Sequence, residues 1–347
     1  MLSLLRYIRS FFGPTAELKP APAPIHMLGK DVGRVGYGMM SLTWREVPPP
    51  TDEAIQVLKA ALEAGATFWN GGELYGTPEY NSLHLLRAYF TKYPEDADRV
   101  VLSIKAGFPN IDGSPATVIA NAVRCAKVLE GVKKIDIFEC ARKDPNVDIE
   151  QTVGALAQLV TAGVIGGIGL SEVGAETVRR AANVHPIAAV EVECSLWAVD
   201  ILDNGVAAAC SELSIPIVAY CPLGRGFLTG QYKKIEDLPE NLRDFPRFQP
   251  GLFEQNIRLV NEVDALAKRK GCKTGQVAIS WVASLNGRPG MPPILPLPGA
   301  SAPERAAENT KLIDLSEKEL KELDDIVKRC TVVGDRYGGP GAALMWG

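Results

Sequence analysis

Two side chains in this sequence are suited to delivering a proton: Tyr75, in the run Asn70-Gly-Gly-Glu-Leu-Tyr, and Lys105, which closes VVLSIK. A phenol with a pKa of about 10 holds its proton too tightly to cycle it at neutral pH. A cation within ~4–6 Å stabilises the phenolate and lowers that pKa. A Tyr–Lys pair can therefore act as a general acid towards a carbonyl oxygen. A tyrosine bonded to a backbone carbonyl, beside a lysine that reaches for the rim, accounts for the same two residues, and their identities leave both readings open. Other chemistries find less support. His26, His84 and His185 lie far apart and form no ligand motif, so no metal site is expected. The seven cysteines include no C-x-x-C pair, and several sit in apolar runs such as IDIFECA and VAYCPL. Free thiols in a reducing compartment are expected, which favours the cytoplasm.

The elements that must position these residues follow from the apolar pattern. Short runs rich in β-branched residues read as buried strands: RVVLSIKA, KIDIFECA, VIGGIGLS, AAVEVECSLW, IPIVAYCPL and PILPLPGA. Between them lie amphipathic segments of helical period at 52–63, 117–129, 151–161 and 175–182. In the first, Ala54, Val57, Leu58, Ala61 and Leu62 form one stripe. Near-continuous apolar strands alternating with helices mean parallel sheet covered by helices. About eight such units are present: the first strand covers GRVGYGMMSL, the second ATFWNGG, and the eighth ends at Gly299. Eight units over roughly 300 residues fit an α/β fold closed as a (β/α)8 TIM barrel, a single domain over residues 26–330. A doubly wound sheet would carry G-x-G-x-x-G after its first strand. Here Gly36-Tyr-Gly38 runs into Met39, Met40 and Ser41, and the third glycine is absent. Reactive residues of a barrel sit at the C-terminal ends of its strands. That rule selects Asn70 and Tyr75, Lys105, Ala141 and Arg142, Ser171 and Glu172, Glu191, and Tyr220.

Composition bounds the function classes. The chain has 347 residues, 46% hydrophobic and 22% charged, with a net charge of −4 and a pI near 5.6. That balance argues against a nucleic-acid groove or a polybasic membrane surface. No apolar run reaches the ~20 residues needed to span a bilayer. Residues 1–25 read as an extension followed by a Pro-rich linker, and Arg6 and Arg9 without an early acid keep mitochondrial targeting open. Residues 224–251 form a long Gly- and Pro-containing loop of the kind that is more often functional than idle. The tail, 331–347, carries Arg336, Tyr337 and Trp346 and could fold over the barrel mouth.

Five ordered stretches resemble the aldo-keto reductases. FWNGGELYG is similar to their F-D-x-A-x-x-Y-G motif, VVLSIKAGF to their lysine strand, and AGVIGGIGLSE to G-x-I-R-x-I-G-V-S-N. VAYCPLGRGFLTG is similar to A-Y-x-P-L-x-x-G-x-L-T-G, and ILPLPGASAPERAAEN to the I-P-G-x-x-x-x-x-R-x-x-E-N phosphate clamp. The resemblance implies a (β/α)8 barrel binding NADPH across its mouth, with Tyr75 as proton donor and Lys105 tuning it. It implies that Ser171 and Glu191 meet the nicotinamide carboxamide, with Glu172 standing where the family has Asn, and that Tyr220 stacks on the ring. Cys221, Pro222, Leu223, Gly226, Leu228 and Thr229 would cover the pyrophosphate, and Gly38 and Met39 would face the cofactor from the first strand. Ser301 and Arg305 would clamp the 2′-phosphate, and Glu308 and Asn309 the adenine.

Two positions depart from the family. Its Asp falls at Asn70 and its His at Ala141, which leaves room for a bulkier substrate or a water. Asn cannot neutralise Lys105, so an uncompensated cation should act on Tyr75 and lower its pKa. These departures, with ECARxD, MMSLTWR and PIAAVEVECSL, resemble the pyridoxal reductase branch. The implied reaction is NADPH-dependent reduction of pyridoxal to pyridoxine. Trp44, Trp69, Ala141 and Arg142, with the loops around Gly76 and Arg243, would shape the substrate pocket. A reductase of other small aldehydes or ketones, and an NADPH-binding regulatory subunit of the same fold, are the alternatives. The sequence sets no oligomeric state.

Overall fold

A computed structural model describes residues 24–347 of the chain. Residues 1–23, and with them most of the expected extension, lie outside the described residues. The chain enters through an antiparallel hairpin, β1 (Ile25–Met27) and β2 (Lys30–Val32). Its two-residue turn has positive φ at both Leu28 (50°) and Gly29 (78°), the turn hand that matches strand twist.

Eight parallel strands follow: β3 (Tyr37–Gly38), β4 (Phe68–Gly72), β5 (Val101–Ala106), β6 (Ile135–Cys140), β7 (Ile165–Ser171), β8 (Ile187–Glu193), β9 (Ile217–Tyr220) and β10 (Ile294–Leu297). They pair in sequence order, and a parallel bridge from Gly38 to Gly299 joins the last unit to the first. This is the expected (β/α)8 barrel in one domain. Helices α1 (Thr51–Glu63), α2 (Ser82–Lys92), α3 (Pro115–Val128), α4 (Ile149–Thr161), α5 (Ala175–Val184) and α6 (Val206–Glu212) return the chain between the first seven strands. After β9 the return takes two helices, α7 (Leu252–Lys270) and α8 (Thr274–Ser284). After β10 come α9 (Pro303–Thr310) and α10 (Glu317–Arg329). The stripe read from sequence is the face α1 buries: Ala54, Val57, Leu58, Ala61 and Leu62 are each at most 1% exposed. Each larger apolar side chain so buried contributes ~1.5–3 kcal/mol.

Successive side chains of a strand face opposite ways. Phe68, Val101, Ile137, Ala189, Val218 and Leu295 therefore form the lowest layer inside the barrel. Ile25, Met27 and Val32 of the hairpin join that cluster and close the bottom. Two steps further along β4, β5, β6 and β8 the next layer up is polar: Asn70, Ser103, Glu139 and Glu191. The residues between face the helices. Trp69 is one of these. It packs against Tyr89 and Phe90, and its Nε1 donates to the Ala66 carbonyl at 2.8 Å. The expectation that Trp69 shapes the substrate pocket is thus corrected: Trp69 and Asn70 are adjacent, so only one can look into the barrel.

The long loop after β9 is ordered by aromatic packing. Phe227 and Phe248 lie 4.6 Å and 5.0 Å from the Trp197 ring. Gly224 has φ of 53° and approaches Trp197 so closely that a Cβ would stand 2.8 Å from the indole, which only glycine accommodates without strain. All seven cysteines are free thiols, as expected. No described helix is long and apolar enough to cross a membrane.

Candidate active site

Lys105 is 4% exposed and sits at the centre of the polar layer. Its Nζ lies 2.5 Å from Glu191 Oε1 and 3.0 Å from Glu139 Oε1, and it donates to Asn70 Oδ1 at 3.1 Å. Asn70 ties the cluster together. Its Nδ2 donates to Glu139 Oε1 at 3.0 Å and to Glu191 Oε2 at 2.7 Å. Ser103 Oγ adds a 3.0 Å hydrogen bond to Glu139. Barrel register brings these together: Lys105 pairs with Glu139 across β5 and β6, and Asn70 with Ser103 across β4 and β5.

The expected uncompensated lysine is therefore not what the fold builds. Two carboxylates from β6 and β8 stand where the family's single Asp would be missed. Burial alone would pull the Lys105 pKa down, but Glu139 and Glu191 outweigh it and hold the ammonium charged. Burial pushes the Glu191 pKa up to about 8, against the pull of Lys105 and with the help of Glu139. Tyr75 is raised as well, chiefly by burial. Lys105 lowers it, and Glu191 and Glu139 raise it. The predicted depression of the Tyr75 pKa is corrected accordingly.

Tyr75 stands on the loop above β4, where Ser82 N donates to its carbonyl at 3.2 Å. Its ring stacks on Trp44 at 5.7 Å with an interplanar angle of 24°. Trp44 is largely exposed, so the pair forms one wall of the mouth. Ala141 is buried at the end of β6. The guanidinium of Arg142 donates to the Ala141 carbonyl at 2.6 Å and lies 5.9 Å from the Tyr337 ring.

A second charged group closes the far side, and its centre comes from the tail. Arg336 is 3% exposed. Its Nη2 donates to Glu172 Oε2 at 2.8 Å and its Nη1 to Glu193 Oε2 at 3.1 Å. Tyr220 Oη donates to Glu172 Oε1 at 2.9 Å and lies 3.0 Å from Tyr337 Oη. Burial would raise the Glu172 pKa, but Arg336 outweighs it and holds the carboxyl below its usual range. Trp346 covers the Arg336 guanidinium at 4.6 Å, and Gly174 N donates to the Gly347 carbonyl at 3.2 Å.

The residues expected to hold a dinucleotide trace a path across this mouth. Ser171 is buried beside Glu191, and its Oγ has no partner among the described residues, as suits a hydroxyl awaiting a carboxamide. Cys221, Pro222, Leu223, Gly226 and Thr229 lie along the loop above β9. Leu228 is turned into the core and can offer only backbone there. Met39 is likewise fully buried, and its N donates to Asn70 O at 2.9 Å; Gly38 bridges to Gly299. Exposed Ser301 leads into α9. There Arg305 pairs with Glu308 at 3.1 Å, Lys273 ion-pairs with Glu308, and Asn309 Nδ2 donates to Gly299 O at 3.1 Å. These residues fit a phosphorylated dinucleotide.

Sequence reading missed Glu139, Glu193, Arg336 and Lys273 as site residues. The signal for the first two was present. An acid in IDIFEC and another in VEVE, on the parity of the inward face, cannot point anywhere but into the barrel. Arg336 lies in the tail expected to fold over the mouth, where the structure does place it, but nothing marked its carboxylate partners, and Lys273 carried no positional signal.

The family model for the aldo/keto reductase family matches residues 34–328. The chain is 40% identical over 322 residues to a Schizosaccharomyces pombe protein named "Probable pyridoxal reductase 2", covering 89% of this chain and 96% of that one. It is 36% identical over 280 residues to an uncharacterized oxidoreductase of the same yeast, covering 78% and 82%. The glycerol dehydrogenase of Gluconobacter oxydans superposes with a TM-score of 0.77 over 90% of this chain and 97% of that one. At 22% identity that likeness speaks to the fold alone. A barrel with a tyrosine over a clamped lysine at its mouth, matched by the family model across most of its length, settles the membership: the chain belongs to the aldo/keto reductase family, oxidoreductases that act on alcohol and carbonyl groups.

Proposed function

We propose that the protein is an NADPH-dependent reductase of small aldehydes, pyridoxal foremost among them, with Tyr75 as the proton donor. The observation that carries this reading is Tyr75 at the barrel mouth, coupled electrostatically to a Lys105 that the barrel interior keeps charged. The similarity to a relative named for pyridoxal reduction, across nearly the whole of both chains, supports the substrate. NADPH use is typical of the family.

The bound cofactor would supply a hydride to the carbonyl carbon. The chain's own residues would do the rest. Ser301 and Arg305 would hold the 2′-phosphate, Arg305 through a forked, charge-assisted contact. Ser171 Oγ would meet the carboxamide, and the Tyr220 ring would support the nicotinamide face. Trp44 and Tyr75 would form an aromatic wall against which a planar substrate can lie. Tyr75 Oη would give its proton to the carbonyl oxygen as negative charge gathers there, and Lys105 would stabilise the phenolate left behind. The test is an aldehyde and ketone panel, pyridoxal included, run with NADPH and with NADH while reduced-nicotinamide absorbance is followed. Pyridoxal should be turned over with NADPH. Failure of every carbonyl compound in the panel would sink the reading.

A further inference from the structure

The interior of the barrel holds a charge imbalance that the reductase chemistry as described does not use. Lys105, Glu139 and Glu191 are each at most 4% exposed and lie within 3.0 Å of one another through the lysine. The neighbours facing Glu191 add no second cation. They are Lys105 on β5, Glu139 on β6, Ser171 on β7, Asn70 and Tyr75 from β4 and its loop, and the Cys221 thiol after β9. The arginines at the mouth face other groups: Arg336 pairs with Glu172 and Glu193, Arg225 with Glu193 at 3.8 Å, and Arg142 donates to the Ala141 carbonyl and acts electrostatically on Tyr220, Tyr337, Glu172 and Tyr75. With every acid ionised the cluster would carry a net negative charge in a medium that solvates it poorly, and two buried carboxylates sharing one cation do not both ionise.

We propose that Glu191 carries a proton at neutral pH, which it shares with Glu139, and that this proton keeps the cluster beneath Tyr75 neutral so that its loss switches reduction off. The two carboxyls share two donors, Lys105 Nζ and Asn70 Nδ2, which hold them side by side so that one can donate to the other. The consequence for Tyr75 is electrostatic. As the phenol gives up its proton it becomes negative, and a neutral cluster below tolerates that change. Once Glu191 ionises, the cluster is negative and opposes it. Glu139 and Glu191 thus act as positioning residues for charge. The switching half of the proposal rests on the reductase reading, whereas the proton assignment does not.

The test begins with infrared spectra of the full chain without cofactor, from neutral to alkaline pH. They read the carbonyl stretch of a buried protonated carboxyl, identified by its shift in heavy water. The wild type should show the band at neutral pH and lose it with a midpoint near 8. Glu139→Gln and Glu191→Gln should both lack it, because the remaining carboxylate then pairs one-to-one with Lys105. A wild-type protein without the band at neutral pH overturns the assignment, and so does a band that persists in both variants. The wild-type titration decides the matter even if a variant does not fold. In kinetics, the basic limb of kcat for reduction should follow the band in the wild type and move up by about one pH unit or more in Glu139→Gln. A limb that stays in place overturns the switch. A titrating band in a protein that reduces no aldehyde would support the proton assignment and bring down the reductase reading instead.

Discussion

At the scale of single residues, the site is a phenol above a neutralised cation. Burial keeps Tyr75 protonated well into the alkaline range, as the proposed role of proton donor requires. Tyr75→Phe should lower kcat by about 10²–10⁴-fold, the usual contribution of general acid catalysis, with NADPH affinity nearly unchanged in a fluorescence titration. Retention of more than half of wild-type turnover would end the assignment. Asn70 holds the cluster through one acceptor and a donor amide that reaches both carboxylates. Asn70→Asp would replace that amide with a third acid and leave Glu139 and Glu191 without those bonds. Its cost should be on the order of 3 kcal/mol, read as a lower midpoint in urea unfolding at pH 7. A variant as stable as the wild type would show that the cluster absorbs a further acid freely. Glu191 also links stability to pH. Its pKa, ordinarily 4.5, is about 8 in the folded chain. Between those values the folded chain holds a proton that the unfolded chain has released. The stability this group contributes is therefore full below 4.5 and is lost as pH rises through 8. Thermal melts of Glu191→Gln against wild type should diverge in favour of the variant across that interval, and parallel curves would contradict the raised pKa.

At the scale of elements, the proposed 2′-phosphate clamp lies on one short helix. The α9 helix presents Arg305 to solvent, where among the described residues it pairs with Glu308 one turn on. An exposed pair of this kind contributes little to stability, so removing Arg305 should spare the fold and test the proposed ligand role. NADPH should bind more tightly than NADH by roughly 10- to 150-fold, and Arg305→Ala should erase most of that preference. Equal affinities in the wild type would remove the case for a 2′-phosphate contact. Lys273, which reaches the same Glu308 from the start of α8, is placed to compensate in part.

At the scale of the molecule, chain that lies outside the eight units seals the bottom of the barrel and lines one side of its mouth. The entry hairpin seals the bottom with Ile25, Met27 and Val32. The tail reaches the mouth, where Arg336 bridges Glu172 on the loop after β7 and Glu193 at the end of β8. Arg336→Ala would strip buried Glu172 of its ion pair and leave Glu193 with the longer contact to Arg225 at 3.8 Å. We expect a loss of about 3–5 kcal/mol and faster proteolysis of residues beyond 331, with Glu172→Gln in the same chain restoring part of the loss. A tail equally protected in the variant would mean that its aromatic contacts suffice.

Much of this architecture is legible in the sequence because it rests on local pattern. Alternation of apolar strands and amphipathic helices specifies eight units. The period of two within each strand specifies which residues look inward, and the same rule applied to Trp69 would have turned it outward. Tyr75, Lys105 and Asn70 stand out because motif and strand end coincide. Tertiary structure alone decides which inward residues meet. Parity says that Glu139 and Glu191 enter the barrel, but their height relative to Lys105 depends on the stagger of strands around the closed barrel, which no single strand encodes. That stagger puts two carboxylates on one lysine and turns the missing family Asp from an uncompensated charge into a surplus of acid. The tail is the same case at longer range: Arg336 finds Glu172 only because the barrel has already placed a buried carboxylate that needs a cation.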